Sequence, residues 1–259
     1  RRPRVEQVRR LLDQLWDIAL ATDIADDWRV QRASDVLKGL SQVSYGQLGM
    51  ILSHRGSAQS ILDAWQRHRV TTPSHPEMSL RETAFTASLA DRMLAVLDTQ
   101  WPEVDIVHAS ANGPSALIAL ARKRRDGTPI ILTEHGVYLR EQYLSLRAMT
   151  LPWTVRSALT SLTELICRVV YAEADLLAPV SDFNAKWARR LGAKPQDLTT
   201  LRNGVDVATF PPIITEPEVP TLSFVGRIDP LKDLHTLIHA FALARREIPD
   251  LRLRLFGPI

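Results

Sequence analysis

With 259 residues, 45% of them hydrophobic and 24% charged, the chain has the length and composition of one large folded domain or two smaller ones, which excludes wholesale disorder. Its 32 basic and 29 acidic residues leave a formal net charge of +3, a small excess that excludes the broad basic footprint of a nucleic-acid binder. A single cysteine, Cys167, excludes an internal disulfide and a cysteine-based metal site, and its neighbours Leu165, Ile166, Val169 and Val170 mark it as a buried small hydrophobe.

Residues 5 to 66 carry apolar side chains three and four apart (Val5, Val8, Leu11, Leu12, Leu15, Trp16, Ala19), the spacing of helices with one buried face. The basic opening Arg1-Arg2-Pro3-Arg4 leads into this amphipathic pattern and not into the apolar core of a signal peptide. No run of about 18 apolar residues follows anywhere, so no spanning helix is expected and a cytoplasmic protein is the default. Thr71 to Pro76 reads as a loop, and Ser79 with Glu82 three residues on predicts a capped helix to about Thr99.

From residue 104 short apolar runs alternate with helical segments. Val104 to Ala109 predicts a strand, Gly113-Pro114 opens a helix to about Lys123, and Pro129 to Thr133 predicts the next strand. The basic cluster Arg122-Lys123-Arg124-Arg125 reads as a solvated helix end, with an anionic membrane surface the functional alternative. A helix over about Thr154 to Ala174, a strand at Leu176 to Val180, a helix from Asp182 to Leu191 and a short strand from Leu198 to Leu201 complete the set. This alternation predicts an α/β fold with a parallel sheet. Four prolines in the ten residues Pro211 to Pro220 predict an extended linker, because proline lacks the donor that sheet pairing needs. A fresh βαβ unit follows, with a strand at Thr221 to Gly226, a helix at Leu231 to Arg246 and a strand at Leu251 to Phe256. The expected divisions are 1–100 (helical), 101–210 (Rossmann-like), 211–220 (linker) and 221–259 (the opening of a second Rossmann-like domain). The chain starts on Arg1, not methionine, and stops at Ile259 where a strand has just run into a turn, so it reads as a piece of a longer protein.

The segment Val225-Gly226-Arg227-Ile228-Asp229-Pro230-Leu231-Lys232 holds the sharpest chemistry. In a doubly wound sheet ligands bind at the carboxyl ends of the strands, where Arg227 and Lys232 are expected to project. Gly226 permits close approach to the backbone, and Asp229-Pro230 can start a helix. Two cations beside a helix start suit a diphosphate and the charge that develops on it as it leaves; the alternative is a pair of solvated turn residues.

Gly226-Arg227 with Lys232 resembles the donor-binding signature of retaining glycosyltransferases of the GT-B fold, family four. Other segments resemble that family in order: Asp105-Ile106-Val107-His108, Thr133-Glu134-His135-Gly136, Ala174-Asp175 with Pro179-Val180-Ser181, and Asn203-Gly204-Val205-Asp206 with Phe210. The string Thr133 to Glu141 is similar to the Pel exopolysaccharide glycosyltransferase subgroup. The resemblance implies two Rossmann-like domains and transfer of a hexose, with retention, from a nucleotide sugar such as UDP-glucose to a saccharide acceptor, with no metal and no further cofactor. It implies phosphate binding by Arg227 and Lys232 and a catalytic His135 near the transferred sugar and the acceptor. Gly226, Asn203 and Gly204 are placed on the donor side; the Asn-Gly pair, which tolerates positive φ, is expected to shape a tight turn. Glu134, Tyr138, Arg140 and Glu141 are acceptor-side candidates or, alternatively, a salt-bridged loop, and His108 is structural. The implied partner is an inner-membrane polysaccharide synthase complex, with the protein peripheral on the cytoplasmic side.

Two departures count. The family's glycine-rich loop after its first strand is missing, and its pair of donor-binding glutamates would lie past Ile259. This piece is therefore expected to hold half a donor site and to be inactive alone. A non-catalytic nucleotide-sugar-binding or assembly subunit and a nucleotide-sugar epimerase stand as alternatives; the glutamate pair separates the first, and release of free sugar or an epimer without acceptor the second.

Overall fold

A computed structural model describes residues 2–21, 25–43, 46–55, 57–210, 212 and 217–258. Within the expected proline-rich linker, Pro211 and residues 213–216 lie outside the described residues. The chain divides into two compact units, Arg1–Asn203 and Gly204–Ile259.

The first unit opens with five helices: α1 (Arg2–Leu20), α2 (Asp26–Val43), α3 (Leu48–Arg55), α4 (Ala58–Thr71) and α5 (Leu80–Ala95), the last running into a 3₁₀ turn at Val96–Asp98. The capping box is formed as the sequence predicts: Ser79 Oγ accepts from the Glu82 amide at 3.3 Å, and Glu82 Oε2 accepts from the Ser79 amide at 2.7 Å. Then follow β1 (Val107–Ala109), α6 (Pro114–Asp126), β2 (Ile130–Glu134), α7 (Tyr138–Ala148), α8 (Trp153–Glu173), β3 (Leu176–Pro179) and α9 (Asp182–Arg190). The strands form one parallel sheet in the order β1-β2-β3, with Val107 beside Ile130 and Ile131 beside Leu176. One face of β2 (Ile130, Leu132) packs into the same apolar core as Leu12, Leu15 and Trp16 of α1 and Leu117 and Leu120 of α6. The opening helices and the sheet therefore share one core, and the burial that stabilises either stabilises both.

Several boundaries move. β1 spans three residues where six are expected, because only Val107–Ala109 find partners on β2. The expected strand at 198–201 is reduced to an isolated bridge from Leu198 to Leu177, with the Leu201 amide donating to Pro179 O at 3.0 Å. Helix α7 stands where a loop was the alternative for Tyr138, Arg140 and Glu141.

The basic cluster is a solvated helix end only in part: Arg125 is exposed, while Arg122, Lys123 and Arg124 have partners. Arg122 is buried and pairs with Asp126 at 2.8 Å. Lys123 Nζ reaches Asp175 Oδ1 and donates to Glu173 O, each at 2.7 Å. The Arg124 side chain, 6% exposed, donates to the Glu173 carboxylate and to Ser34 Oγ, so α2, α6 and α8 meet in one charged network. Lys123 and Arg124 are drawn to the carboxylates of the residue leading into β3 and of α8, while Arg125 stays in solvent.

The second unit contains β4 (Thr221–Val225), a 3₁₀ turn at Pro230–Lys232, α10 (Leu234–Ala244) and β5 (Arg252–Phe256). β4 and β5 pair in parallel from Thr221 with Arg252 to Val225 with Phe256. The expected single helix from Leu231 is broken at Asp233, whose φ is +48°. Asp233 Oδ1 accepts from the Thr236 amide at 3.4 Å, so the left-handed residue ends the 3₁₀ turn and caps α10. No helix among the described residues is long and apolar enough to cross a membrane.

Candidate functional site

Parallel strands deliver their following loops to one edge of the sheet, which makes the carboxyl ends of the strands the first place to build a site. In the first unit that edge carries the turns after β1, β2 and β3, which lead into the N-termini of α6, α7 and α9. Gly113 takes φ +77° before Pro114 starts α6, and a Cβ there would overlap the Tyr138 ring. Ser181 Oγ accepts from the Asn184 amide at 3.2 Å and caps α9. Asp182, exposed in the first turn of α9, pairs with Arg202 at 2.7 Å. His135 is exposed in the turn after β2, and Gly136 beside it is packed against the Glu141 carboxylate so closely that a Cβ would overlap it. His108 sits on β1 with Nε2 at 2.7 Å from Thr133 Oγ1 across to β2.

Glu134 behaves differently from its neighbours. It ends β2 with only 3% exposure, and its carboxylate accepts from the Tyr171 hydroxyl and, at 3.5 Å, from the Tyr138 amide that opens α7. Its carbonyl accepts from the Val180 amide and from Asn184 Nδ2, each at 3.1 Å. No cation pairs with it among the described residues. Burial pushes its carboxyl up to about 7; the bonds from Tyr171 and Tyr138 hold it down in part, and the Glu141 charge adds to the rise. The Tyr171 hydroxyl, buried beside that carboxylate, is raised in turn, and burial raises Tyr138 to about 12. Nothing in the local pattern around Tyr171 or Asn184 marks them as partners of residue 134, since both reach it from distant segments.

A linked pH dependence follows. A carboxyl that titrates higher in the folded chain than in the unfolded chain binds more protons when folded. Its stabilising contribution is complete below about pH 4.5 and is lost as pH rises through about 7. Glu134→Gln, which keeps the shape and removes the charge, should flatten this fall and stabilise the protein by up to about 3 kcal/mol at pH 8. Urea titrations from pH 4.5 to 8 read the difference; parallel wild-type and variant curves would remove the assignment.

In the second unit Gly226, Arg227 and Lys232 lie on the turn that leaves β4. The Gly226 amide donates to Phe256 O at 2.9 Å and the Ile228 amide to Pro258 O at 3.0 Å, so this turn is tied to the end of β5. Gly257 packs against the Gly226 carbonyl with no room for a Cβ. Arg227 is 69% exposed and faces Asp229 at 3.4 Å; Asp229 Oδ1 accepts from the Leu231 amide at 3.0 Å, and Lys232 is exposed. A hollow of about 560 Å³ elsewhere in this unit is lined by Phe241, Arg245, Arg252 and their neighbours and by neither of the two cations. Asn203 and Gly204 are exposed, and neither has positive φ. The turn expected of them comes later and is made by Asp206, whose side chain accepts from the Ala208 amide at 3.0 Å and from Thr209 Oγ1 at 2.9 Å. Among the described residues no group of three or more His, Cys, Asp or Glu could hold a metal ion.

The class defined at this point is a mixed α/β protein with parallel sheets, compatible with a Rossmann-like fold. Residues 6–196 match DUF3492, a domain family of unknown function, and the chain belongs to that family. Over 97 residues it is 35% identical to a D-inositol 3-phosphate glycosyltransferase of Pseudarthrobacter chlorophenolicus, a stretch that covers 34% of this chain and 23% of that relative. The match thus spans less than a quarter of the relative's length. No solved structure matches the chain.

Proposed function

We propose that this chain is a piece of a retaining glycosyltransferase that transfers a hexose from a UDP-glucose-like donor to a saccharide acceptor. In this reading it is a GT-B protein of family four near the Pel exopolysaccharide subgroup, and its two compact units belong to two Rossmann-like domains. The observation that carries it is the exposed Arg227 and Lys232 on the glycine turn leaving β4, at the carboxyl edge of a parallel pair. The similarity to a glycosyltransferase over 97 residues supports the same class.

Arg227 and Lys232 meet the donor's diphosphate, a guanidinium giving paired hydrogen bonds and an ammonium a compact charge. The bond from the anomeric carbon to the diphosphate oxygen breaks, and the acceptor hydroxyl oxygen bonds to that carbon on the same face. The hydroxyl proton passes to the departing phosphate. The protein's part is positioning and stabilisation of the leaving charge. His135 is assigned to the sugar and acceptor, with Tyr138, Arg140 and Glu141 beside it on the first turns of α7, and Asn203 and Gly204 to the donor side. No metal or further cofactor is part of the proposal. Association with an inner-membrane polysaccharide synthase complex, on the cytoplasmic side, belongs to the same reading.

Calorimetric titration of the longer parent protein that contains this chain, with UDP and UDP-glucose, tests it. Saturable binding is expected, and Arg227→Ala should weaken it roughly 10- to 100-fold, the scale of one charge-assisted hydrogen bond. Binding unchanged in that variant, or no binding by the wild type, would remove the proposal.

A further inference from the structure

We propose that Glu134 is a positioning residue: its buried carboxyl group, held between the Tyr171 hydroxyl and the Tyr138 amide, fixes the turn that presents His135. The inference rests on the reading that places His135 in the functional site. Glu134 immediately precedes the histidine, and both ends of the residue are clamped. Its carbonyl takes the Val180 amide and the Asn184 side chain, which anchors the end of β2 to β3 and α9. Its carboxylate takes the first amide of α7, which anchors the far side of the turn. The residues between these anchors are His135, Gly136 and Val137, so a three-residue turn is pinned at both ends by one side chain and its own backbone.

The clamp extends beneath the neighbouring turn. Asn112 Oδ1 accepts from the Gly113 amide at 2.7 Å, and Asn112 Nδ2 donates to Cys167 O at 3.4 Å. The Asn112 side chain lowers the Tyr171 hydroxyl's pKa in part, so the two side chains are electrostatic neighbours. Tyr171, Glu134 and the start of α7 therefore form a buried chain of bonds, and Asn112, bonded to Cys167 one helical turn before Tyr171, ties the turn after β1 to the same helix. The groups facing Glu134 are Tyr138 and Glu141 on α7, Tyr171 and Cys167 on α8 and Asn184 on α9, none of them a cation. A carboxylate so placed has no neutralising partner, and its position near neutrality makes the clamp sensitive to proton uptake. Protonation leaves Oε1 an acceptor for the Tyr138 amide and turns the bond to Tyr171 around, so the hydroxyl must become the acceptor. The chain of bonds from Tyr171 to the start of α7 changes with that proton.

The test is a pH titration of the whole chain by amide NMR, with no sugar nucleotide present. The Gly136 and Tyr138 resonances should move through one inflection near neutrality in the wild type. An imidazole titrates in the same range, so His135→Gln is the necessary control, and the inflection should survive in it. It should vanish in Glu134→Gln at undiminished thermal stability. In Tyr171→Phe, which removes the hydroxyl that favours the carboxylate, it should move to higher pH. An inflection that persists in E134Q, disappears in H135Q, is unmoved in Y171F or is absent from the wild type overturns the proposal. Because the readout needs no donor, failure to bind UDP and failure of this titration are separate results.

Discussion

Replacing Glu173 with alanine should lower the unfolding free energy by about 3–5 kcal/mol, the cost of leaving a buried cation without its partner. The Arg124 side chain is 6% exposed, and its guanidinium donates through Nε and Nη2 to the Glu173 carboxylate and Ser34 Oγ, while Nη1 is buried without a hydrogen-bond partner among the described residues. Without Glu173 it retains one neutral acceptor, and moving it to water would break the packing of α6 against α2 and α8. For a domain of this size each kcal/mol moves the midpoint by roughly 2–4 °C, so thermal denaturation should show a fall of about 10 °C. Glu173→Gln should cost less, because the amide oxygen still accepts. The exposed pair of Arg67 with Asp17, whose side chains are 53% and 45% exposed, is the comparator: Asp17→Ala should change stability by no more than about 1 kcal/mol. Equal losses for Glu173→Ala and Asp17→Ala would mean that the network around Arg124 is not buried as described.

That network shows where sequence reasoning stops. Arg122 to Arg125 have the local look of a solvated helix end, because the carboxylates that pair with Lys123 and Arg124 lie some fifty positions further along the chain. The capping box at Ser79 is legible for the opposite reason: donor and acceptor are three residues apart and their geometry follows from the helix alone. Strand β2 is legible from its apolar run, while the length of β1 depends on how many partners β2 offers it, which no property of Val104 to Ala109 encodes. Asp233 lies between. Its side chain three residues before Thr236 is a capping signal, but the apolar run from Leu234 continues the pattern of Leu231 and masks the break.

The candidate site divides in the same way. Gly226, Arg227 and Lys232 lie in one short segment, so their place after β4 is readable from the strand that precedes it. Glu134 is readable as part of a motif but not as a buried group, because Tyr171 and Asn184 approach it from α8 and α9. The Asn203-Gly204 pair illustrates the limit of residue preference. Both residues tolerate a left-handed turn, yet both stay outside it, and Asp206 forms the turn because its side chain can bond the amide two residues on.

Under the proposed function, Lys232→Ala in the longer parent enzyme that contains this chain should reduce hexose transfer by a factor on the order of 10² to 10³, the scale of removing one preorganised group from a developing charge. The ammonium has a compact charge, and the diphosphate carries more negative charge as it departs than it does in the intact donor. Its contribution should therefore grow along the reaction, so turnover should fall by more than donor affinity does. Lys232 is exposed, in a short 3₁₀ turn that is held by the Asp229 side chain and by the bond from the Lys232 amide to Asp229 O at 3.0 Å. Truncating its side chain leaves those bonds in place, so the melting temperature should stay within about 2 °C of wild type, as for an ordinary surface change. Lys232→Arg should recover only part of the rate, because a planar fork does not occupy the place of a point charge. Initial rates of UDP release at saturating donor, alongside UDP affinity for each variant, separate the two effects. Turnover within a few-fold of wild type in Lys232→Ala would remove Lys232 from the leaving-group role and leave the exposed turn after β4 as a solvated one.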